Sequence, residues 1–507
     1  MRPRPVWVTV AFLVAGPAVA QPPAGIELTP DAQKRVATAS ARAMPSVVAV
    51  VVSHRQYPGD QSTDPLKLGR YKPGDTAKNT PAEAKLDLSD PQNAPDNLTG
   101  VGVVVDAAAG LVLVPYHLIE GATKVYARAS SGGGSYADIH AADARSDLAV
   151  VRLLDRPDGL SGVRFAAVQV KARDEFTPRP ADPMTPVVAL TVSPNGLTVG
   201  STWGAVSNAA VRLPGLSTAR EEARSRPLSS YEMLIQATTL TRVGAGGCGL
   251  FNLDGELVGL STPAAAAGAE SAGVFVIPFD RTYRRIVDTL KAGREVEYGF
   301  LGVQLQGFGR FAIDRGGKDG VVITGVTPGG PADLAGLSPS DLITEIDGKP
   351  VTRQDDLFVH VAAALAGTRV AVRFKRYRTF GGAVEQTAYA TLDKAPHSFP
   401  WLASDRPAPV FGLRVDYASV LQLEQGGALF APTAGVSVRE LAPDSPAAAR
   451  FKTLGDSPTR WLVTAVDGRP VRNPGEFYAA ARGKKSVTLS LADTVSGNPA
   501  QLTLPGS

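Results

Sequence analysis

The sequence predicts a mainly β protein, with one large β domain followed by two smaller β-rich modules. Three observations predict it. Many short β-prone runs separated by turn residues fill the chain from Ser46 to Pro278. After Gly293 one ordered pattern occurs twice, at a spacing of roughly 110 residues, too long for a solenoid unit and right for two small domains. Cys248 is the only cysteine among 507 residues, so no intrachain disulfide exists and packing must hold each domain.

Taken in order, Arg2 and Arg4 precede an almost wholly apolar run, Val6 to Ala15, and Ala18-Val19-Ala20 offers a small-x-small cleavage site before Gln21. This reads as a signal peptide over residues 1–20 and an exported, periplasmic or extracellular protein, peripheral to a membrane at most. The run is shorter than the about 20 residues a membrane-spanning helix needs. Thr29 to Ala43 has helical spacing, ended by Pro45, and Ser46 to Ser53 is a strongly β-prone strand. Residues 55–97 carry Pro58, Pro65, Pro73, Pro81, Pro91 and Pro95 with many charges, which predicts a long loop outside the core.

Strand signals resume at Gly102–Asp106, Leu111–Val114, Thr123–Arg128, Leu148–Leu154, Val187–Val192 and Gly196–Val206. They continue at Glu232–Ala237, at a hairpin around Leu253-Asp254-Gly255, and at Val274–Pro278. A closing amphipathic helix over Asp280–Ala292 puts Tyr283, Ile286, Val287 and Leu290 on one side. The large domain is therefore expected over 30–292. The repeat then places Phe300-Leu301-Gly302-Val303, Pro331-Ala332 and Asp347-Gly348-Lys349-Pro350 in one copy. The other copy has Phe411-Gly412-Leu413, Pro446-Ala447 and Asp467-Gly468-Arg469-Pro470. The modules are expected at 297–394 and 408–493, joined by a linker at 395–407.

The formal charge is +4, with Lys and Arg scattered among Asp and Glu, and losing Arg2 and Arg4 lowers it further. That balance gives no footprint for nucleic acid. The five histidines lie far apart and no metal motif exists, so no metal and no cofactor is expected.

These features together resemble the HtrA/Deg family of secreted trypsin-like serine proteases with C-terminal PDZ domains. The resemblance covers most of the chain and implies a trypsin-like double β-barrel followed by two PDZ-like α+β domains. Val114-Pro115-Tyr116-His117-Leu118-Ile119 matches the family's histidine segment, and Asp147 in Asp143-Ala144-Arg145-Ser146-Asp147-Leu148 matches its aspartate. The nucleophile segment falls without a gap on Ile235 to Leu250, with Phe251-Asn252-Leu253-Asp254-Gly255 following the pattern downstream. In that register the serine position is Gly246.

Peptide hydrolysis by this mechanism needs an oxygen or sulfur nucleophile, a histidine to take its proton and a carboxylate to orient the imidazole. His117 and Asp147 fit the last two roles, and glycine supplies no attacking group. The expectation is an HtrA-like pseudoprotease with a vestigial triad. An alternative is an active endopeptidase in which Cys248 attacks, since Gly246-Gly247-Cys248-Gly249 also resembles the elbow of chymotrypsin-fold cysteine proteases. A structural cysteine is the plainer reading, because free cysteine is among the most buried residue types. If Gly246 and Cys248 lay on one extended strand they would share a side, about 6.6 Å apart.

PDZ domains add an extended peptide to a strand edge beside a helix, with a backbone loop receiving the carboxylate. The resemblance implies a binding loop and strand at Phe300-Leu301-Gly302-Val303 and a groove helix over Gln354–Leu365 with Leu357, Phe358 and Val361. In the second module Phe411-Gly412-Leu413 holds the matching position, beside a short helix over Pro474–Ala481. Expected partners are unfolded or extended polypeptides or protein C-termini. The resemblance leaves two roles open for the 55–97 loop, covering the large domain's cleft or reaching a neighbouring subunit, and with the second a homo-oligomer.

Overall fold

The computed structural model describes residues 29–54, 64–69, 86–90, 98–168, 181–193, 198–211, 234–239, 247–262, 273–305, 320–378, 382–396, 400–421, 434–455, 460–494 and 496–505. The signal-peptide expectation and the Gly246 position fall outside these. Helix α1 (Pro30–Ala43) is followed by six strands: β1 (Val47–Ser53), β2 (Leu98–Asp106), β3 (Leu111–Pro115), β4 (Lys124–Ala129), β5 (Gly134–Asp143) and β6 (Leu148–Leu153). A one-turn helix α2 (Tyr116–Ile119) interrupts them after β3. They close into a barrel in the order β1-β2-β3-β6-β5-β4. Six more, β7 (Pro186–Val192), β8 (Val199–Val211), β9 (Leu234–Ala237), β10 (Cys248–Phe251), β11 (Leu257–Ser261) and β12 (Val274–Pro278), close a second barrel. Its order repeats that of the first.

Strand alternation explains the packing. On β1, Val48, Val50 and Val52 fill the first barrel, while Val47 and Ala49 face the seam between the barrels. The seam core also takes Ala39 and Ala43 of α1 and Tyr283, Ile286, Val287 and Leu290 of helix α3 (Arg281–Lys291). Those four are the side that sequence spacing selects. Asp280 caps α3, its Oδ1 accepting from the N–H groups of Thr282 and Tyr283 at 2.8 and 3.0 Å.

The first module contains β13 (Gly299–Phe300), β14 (Val303–Leu305), β15 (Val321–Val326), helix α4 (Pro331–Leu334), β16 (Leu342–Ile346), β17 (Lys349–Pro350), helix α5 (Gln354–Ala363), β18 (Arg369–Arg378), β19 (Gly382–Thr391) and β20 (Asp393–Lys394). The second contains β21 (Leu413–Tyr417), β22 (Val436–Leu441), helix α6 (Pro446–Phe451), β23 (Trp461–Val466), β24 (Arg469–Pro470), helix α7 (Pro474–Ala481), β25 (Ser486–Asp493) and β26 (Pro499–Pro505). The main sheets run β14-β15-β16-β18-β19 and β21-β22-β23-β25-β26, the same order twice. Among the described residues, no helix is long and apolar enough to cross a membrane.

Three expectations need correcting. The second module does not end at 493, because β26 pairs with β25 from Ser486↔Pro505 to Ala492↔Pro499. Parts of the 55–97 loop belong to the core: Leu66 is buried in the first barrel's cluster and Leu88 is fully buried against Val51 and Tyr126. Their leucines lie between the prolines, and backbone bonds from Ile139 N to Leu66 O (3.0 Å) and from Gly69 N to Thr123 O (2.8 Å) hold the first stretch.

The 395–407 linker is likewise more than a tether. Its residues 402–405 run along the free edge of β5. Ala142 N donates to Leu402 O at 2.8 Å, Ser404 N to His140 O at 3.0 Å, and Asp405 N to Gly293 O at 2.8 Å. His140 Nδ1 accepts from Arg152 and pairs with Ser404 Oγ at 2.8 Å, while Nε2 donates to Lys291 O at 3.0 Å. Next to the linker, Lys394 of the first module meets Asp416 of the second at 2.9 Å and Glu295 at 2.8 Å. Arg439 bonds the same two carboxylates and stacks on Trp401, 4.0 Å from the ring centre. The Lys394 side chain is only 1% exposed, so this is a buried four-charge cluster across the modules.

Candidate functional site

His117 is the second residue of α2, immediately after β3, and Asp147 sits in the turn between β5 and β6. Tyr116 N donates to Asp147 O at 2.9 Å, which ties the two segments together. Asp147 Oδ1 accepts from His117 N at 2.9 Å, and the His117 ring Nδ1 lies 2.9 and 2.8 Å from the two carboxylate oxygens. A carboxylate only accepts, so Nδ1 carries the proton and Nε2 is left as an acceptor. Thr262 Oγ1, just past β11 in the second barrel, also donates to Asp147 at 3.4 Å. Asp147 adopts φ +58°, a left-handed conformation that aspartate tolerates better than most residues.

The turn is pinned from behind. Asp143 accepts from Ser146 N at 3.0 Å and from the Tyr298 hydroxyl, and Arg145 stacks 4.8 Å from the Tyr298 ring centre. Burial raises the pKa of both the Asp143 carboxyl and the Tyr298 phenol. A cavity lined by Tyr116, Asp143, Arg145, Glu295, Tyr298 and Leu402 lies at this junction of barrel, first module and linker.

The second barrel presents β10 to the same seam. A Cβ at Gly247 would come 2.7 Å from Ser261 Oγ and 3.7 Å from Pro115 Cγ, and one at Gly249 would come 3.7 Å from Val103 Cγ2. Gly247 and Gly249 therefore face the first barrel. Cys248, between them, points the other way into the interior of its own barrel, among Ala189, Ile235, Val258 and Val276. Its N–H donates to Ser261 Oγ at 2.6 Å, and burial pushes the thiol up to about 12. Gly247 has φ +86°, so the chain entering β10 is not extended and does not follow the two-residue spacing of a plain strand.

A PDZ domain family model matches residues 322–376. A probable periplasmic serine protease (do/HhoA-like) of Haemophilus influenzae is 28% identical over 281 residues, 55% of this chain and 55% of its own. The chain thus spans about half that relative's length. The periplasmic serine endoprotease DegP of Salmonella typhimurium is 25% identical over 393 residues, covering 76% of this chain and 72% of itself. The periplasmic pH-dependent serine endoprotease DegQ of Escherichia coli is 28% identical over 366 residues, 71% and 72% of the two chains. The chain has the HtrA/Deg-family trypsin-like protease fold with a C-terminal PDZ domain. A solved structure of an HtrA-type protease, AlgWS227A with decapeptide, aligns over 72% of this chain and 99% of its own at 22% identity and a TM-score of 0.49.

Within this HtrA/Deg fold His117 and Asp147 come together, whereas Cys248 lies on the opposite face of its strand. In the first PDZ module Leu301 is buried and Gly302 has φ +77°. Phe300 pairs with Asp393 of β20, and β14 begins at Val303. Leu357 and Val361 are buried in the module core, and Phe358 is 41% exposed beside them on α5. In the second, Phe411 and Gly412 have φ +54° and +83°, and Leu413 is buried at the start of β21. Sequence reasoning missed Thr262 and Tyr298. The tyrosine carried a signal, since a tyrosine packed in a domain usually needs a partner for its hydroxyl.

Proposed function

We propose that the chain is an exported HtrA/Deg-fold protein that no longer cleaves peptide bonds. In this reading it binds extended or misfolded polypeptides, or protein C-termini, through PDZ-type strand addition. The observation that carries the reading is the place of the only thiol. Cys248 is turned into the second barrel and burial pushes its thiol up to about 12, so at neutral pH it stays protonated and does not supply the thiolate that attacks. By sequence register the serine position belongs to Gly246. His117 Nε2 is left as a base with no side-chain hydroxyl or thiol bonded to it among the described residues. Export accords with the N-terminal segment and with relatives whose names call them periplasmic.

The test is turnover of an unfolded casein by the purified protein, with His117→Ala and Cys248→Ala alongside. All three should give only background cleavage. Turnover abolished by both substitutions would instead establish a cysteine endopeptidase, and turnover abolished by His117→Ala alone would mean another nucleophile.

A further inference from the structure

The two PDZ modules align residue by residue around the strand edge that would receive a peptide. Phe300-Leu301-Gly302-Val303 corresponds to Val410-Phe411-Gly412-Leu413, and Leu357-Phe358 on α5 corresponds to Phe477-Tyr478 on α7. In both, a loop residue after the second strand donates to the glycine carbonyl: Thr327 N to Gly302 O and Ala442 N to Gly412 O, each at 2.8 Å. Antiparallel pairing alternates, so the N–H groups of Val303 and Leu413 must point away from the sheet, toward the groove.

What those outward groups meet differs. In the second module Phe411 and Gly412 both have positive φ, the conformation of a two-residue type I′ turn. The turn folds Val410 back on Leu413. Leu413 N donates to Val410 O at 2.9 Å and Val410 N to Leu413 O at 3.0 Å. Two residues on, Val415 N donates to the Tyr478 hydroxyl at 3.3 Å, and Tyr417 N donates to Asp416 Oδ1 at 2.8 Å. All three outward donors of β21 are taken within the chain.

In the first module Leu301 does not take positive φ, and Phe300 pairs outward with β20 instead of folding back. No described residue takes the Val303 N–H. The residue matching Tyr478 is Phe358, which has no hydroxyl to offer the strand.

We infer that the second module's peptide-receiving edge is closed in cis by Val410 and Tyr478, which leaves peptide capture to the first module. The second clause rests on the peptide-binding reading above; the closure itself does not.

Hydrogen exchange of the full chain, read at residue resolution, separates the two. The Leu413 and Val415 amides should exchange at least tenfold more slowly than Val303. Tyr478→Phe, which keeps the ring, should speed Val415 about tenfold and leave Leu413 unchanged. Leu413 and Val415 exchanging as fast as Val303, or Val415 indifferent to Tyr478→Phe, overturns the closure.

A fluorescein-labelled decapeptide with a free C-terminal valine is then added. It should bind once per chain, slow the Val303 amide and leave Leu413 and Val415 as they were. Phe358→Tyr should weaken that binding several-fold. Peptide protection of Leu413 and Val415 in the unaltered chain overturns the inference. If the peptide slows no amide in either module, the peptide-binding reading falls while the exchange comparison still decides the closure.

Discussion

The two C-terminal modules share a strand order, a helix in the same place and an Asp-Gly-basic-Pro turn, yet they are anchored in different ways. The first leans on the barrels through apolar side chains: Val296, Tyr298, Ala362 and Ala395 belong to the seam core, with Phe300 and Leu365 packed against it. The second keeps its own core and meets the first through charge, Asp416 and Arg439 against Lys394 and Glu295. Their first strands differ as well, one leaving its loop open and the other folding it into a hairpin. The contrast teaches that one sheet order can be kept while the sign of φ at one residue, Phe411 against Leu301, decides whether the first strand folds back on itself.

The largest expected effect tests the charged junction. Asp416→Asn leaves the buried Lys394 short of a carboxylate, and breaking such a cluster should cost about 3 kcal/mol in denaturant unfolding. Lys484→Ala removes an ion pair of the second module that is 42% and 38% exposed, and should cost under about 1 kcal/mol. Equal losses would show that the junction holds nothing.

A smaller effect belongs to the first module alone, because β20 has no counterpart in the second. Burial pushes the Asp393 carboxyl up to about 7 from its ordinary 3.8. The fold therefore prefers the neutral acid. That contribution is complete below about pH 3.8 and is lost as pH rises through about 7. The shift corresponds to about 4 kcal/mol, and solvent reaching the partly exposed group reduces this to about 2 kcal/mol. Asp393→Asn should remove that slope, with the gain over the native chain larger at pH 8 than at pH 4. An identical difference at both pH values would refute it.

The smallest effect compares the two loops directly. Alanine at Gly302 or Gly412 meets positive φ, a strain of about 1 kcal/mol at either site. At Gly302 the nearest atoms to a new Cβ are 3.5 Å away, whereas at Gly412 the Cβ of Ser445 is 2.3 Å away. Gly412→Ala should therefore cost roughly 1 kcal/mol more than Gly302→Ala. The gap should close in a Ser445→Gly background, since Gly330 stands at that place in the first module.

Much of the architecture was legible because it follows from local pattern. The β1 valines, the one-sided spacing of α3 and the repeated turn each declare themselves within a dozen residues. His117 and Asp147 were legible through their flanking strands, and the structure brings them together. Strand β5 was not, since Gly132-Gly133-Gly134 opens it and its apolar residues are mostly alanine. Which way Cys248 points could not be read either, because the glycines on both sides of it carry no side chain to mark which face is buried. The closed edge of the second module depends on one hydroxyl and one turn, neither of which leaves a periodic trace.

The linker along β5 bears on how a captured chain would be handled. A free tether between two domains lets each search a volume set by its length. Here Leu402 and Ser404 are bonded to the strand that runs on into the Asp143–Asp147 turn, so the connection works as a strut. A polypeptide held at Val303 would be displayed at a fixed station instead of being swept through solution. A pull on it would be resisted by the barrel itself, and the molecule would act as a rigid bracket for whatever it binds.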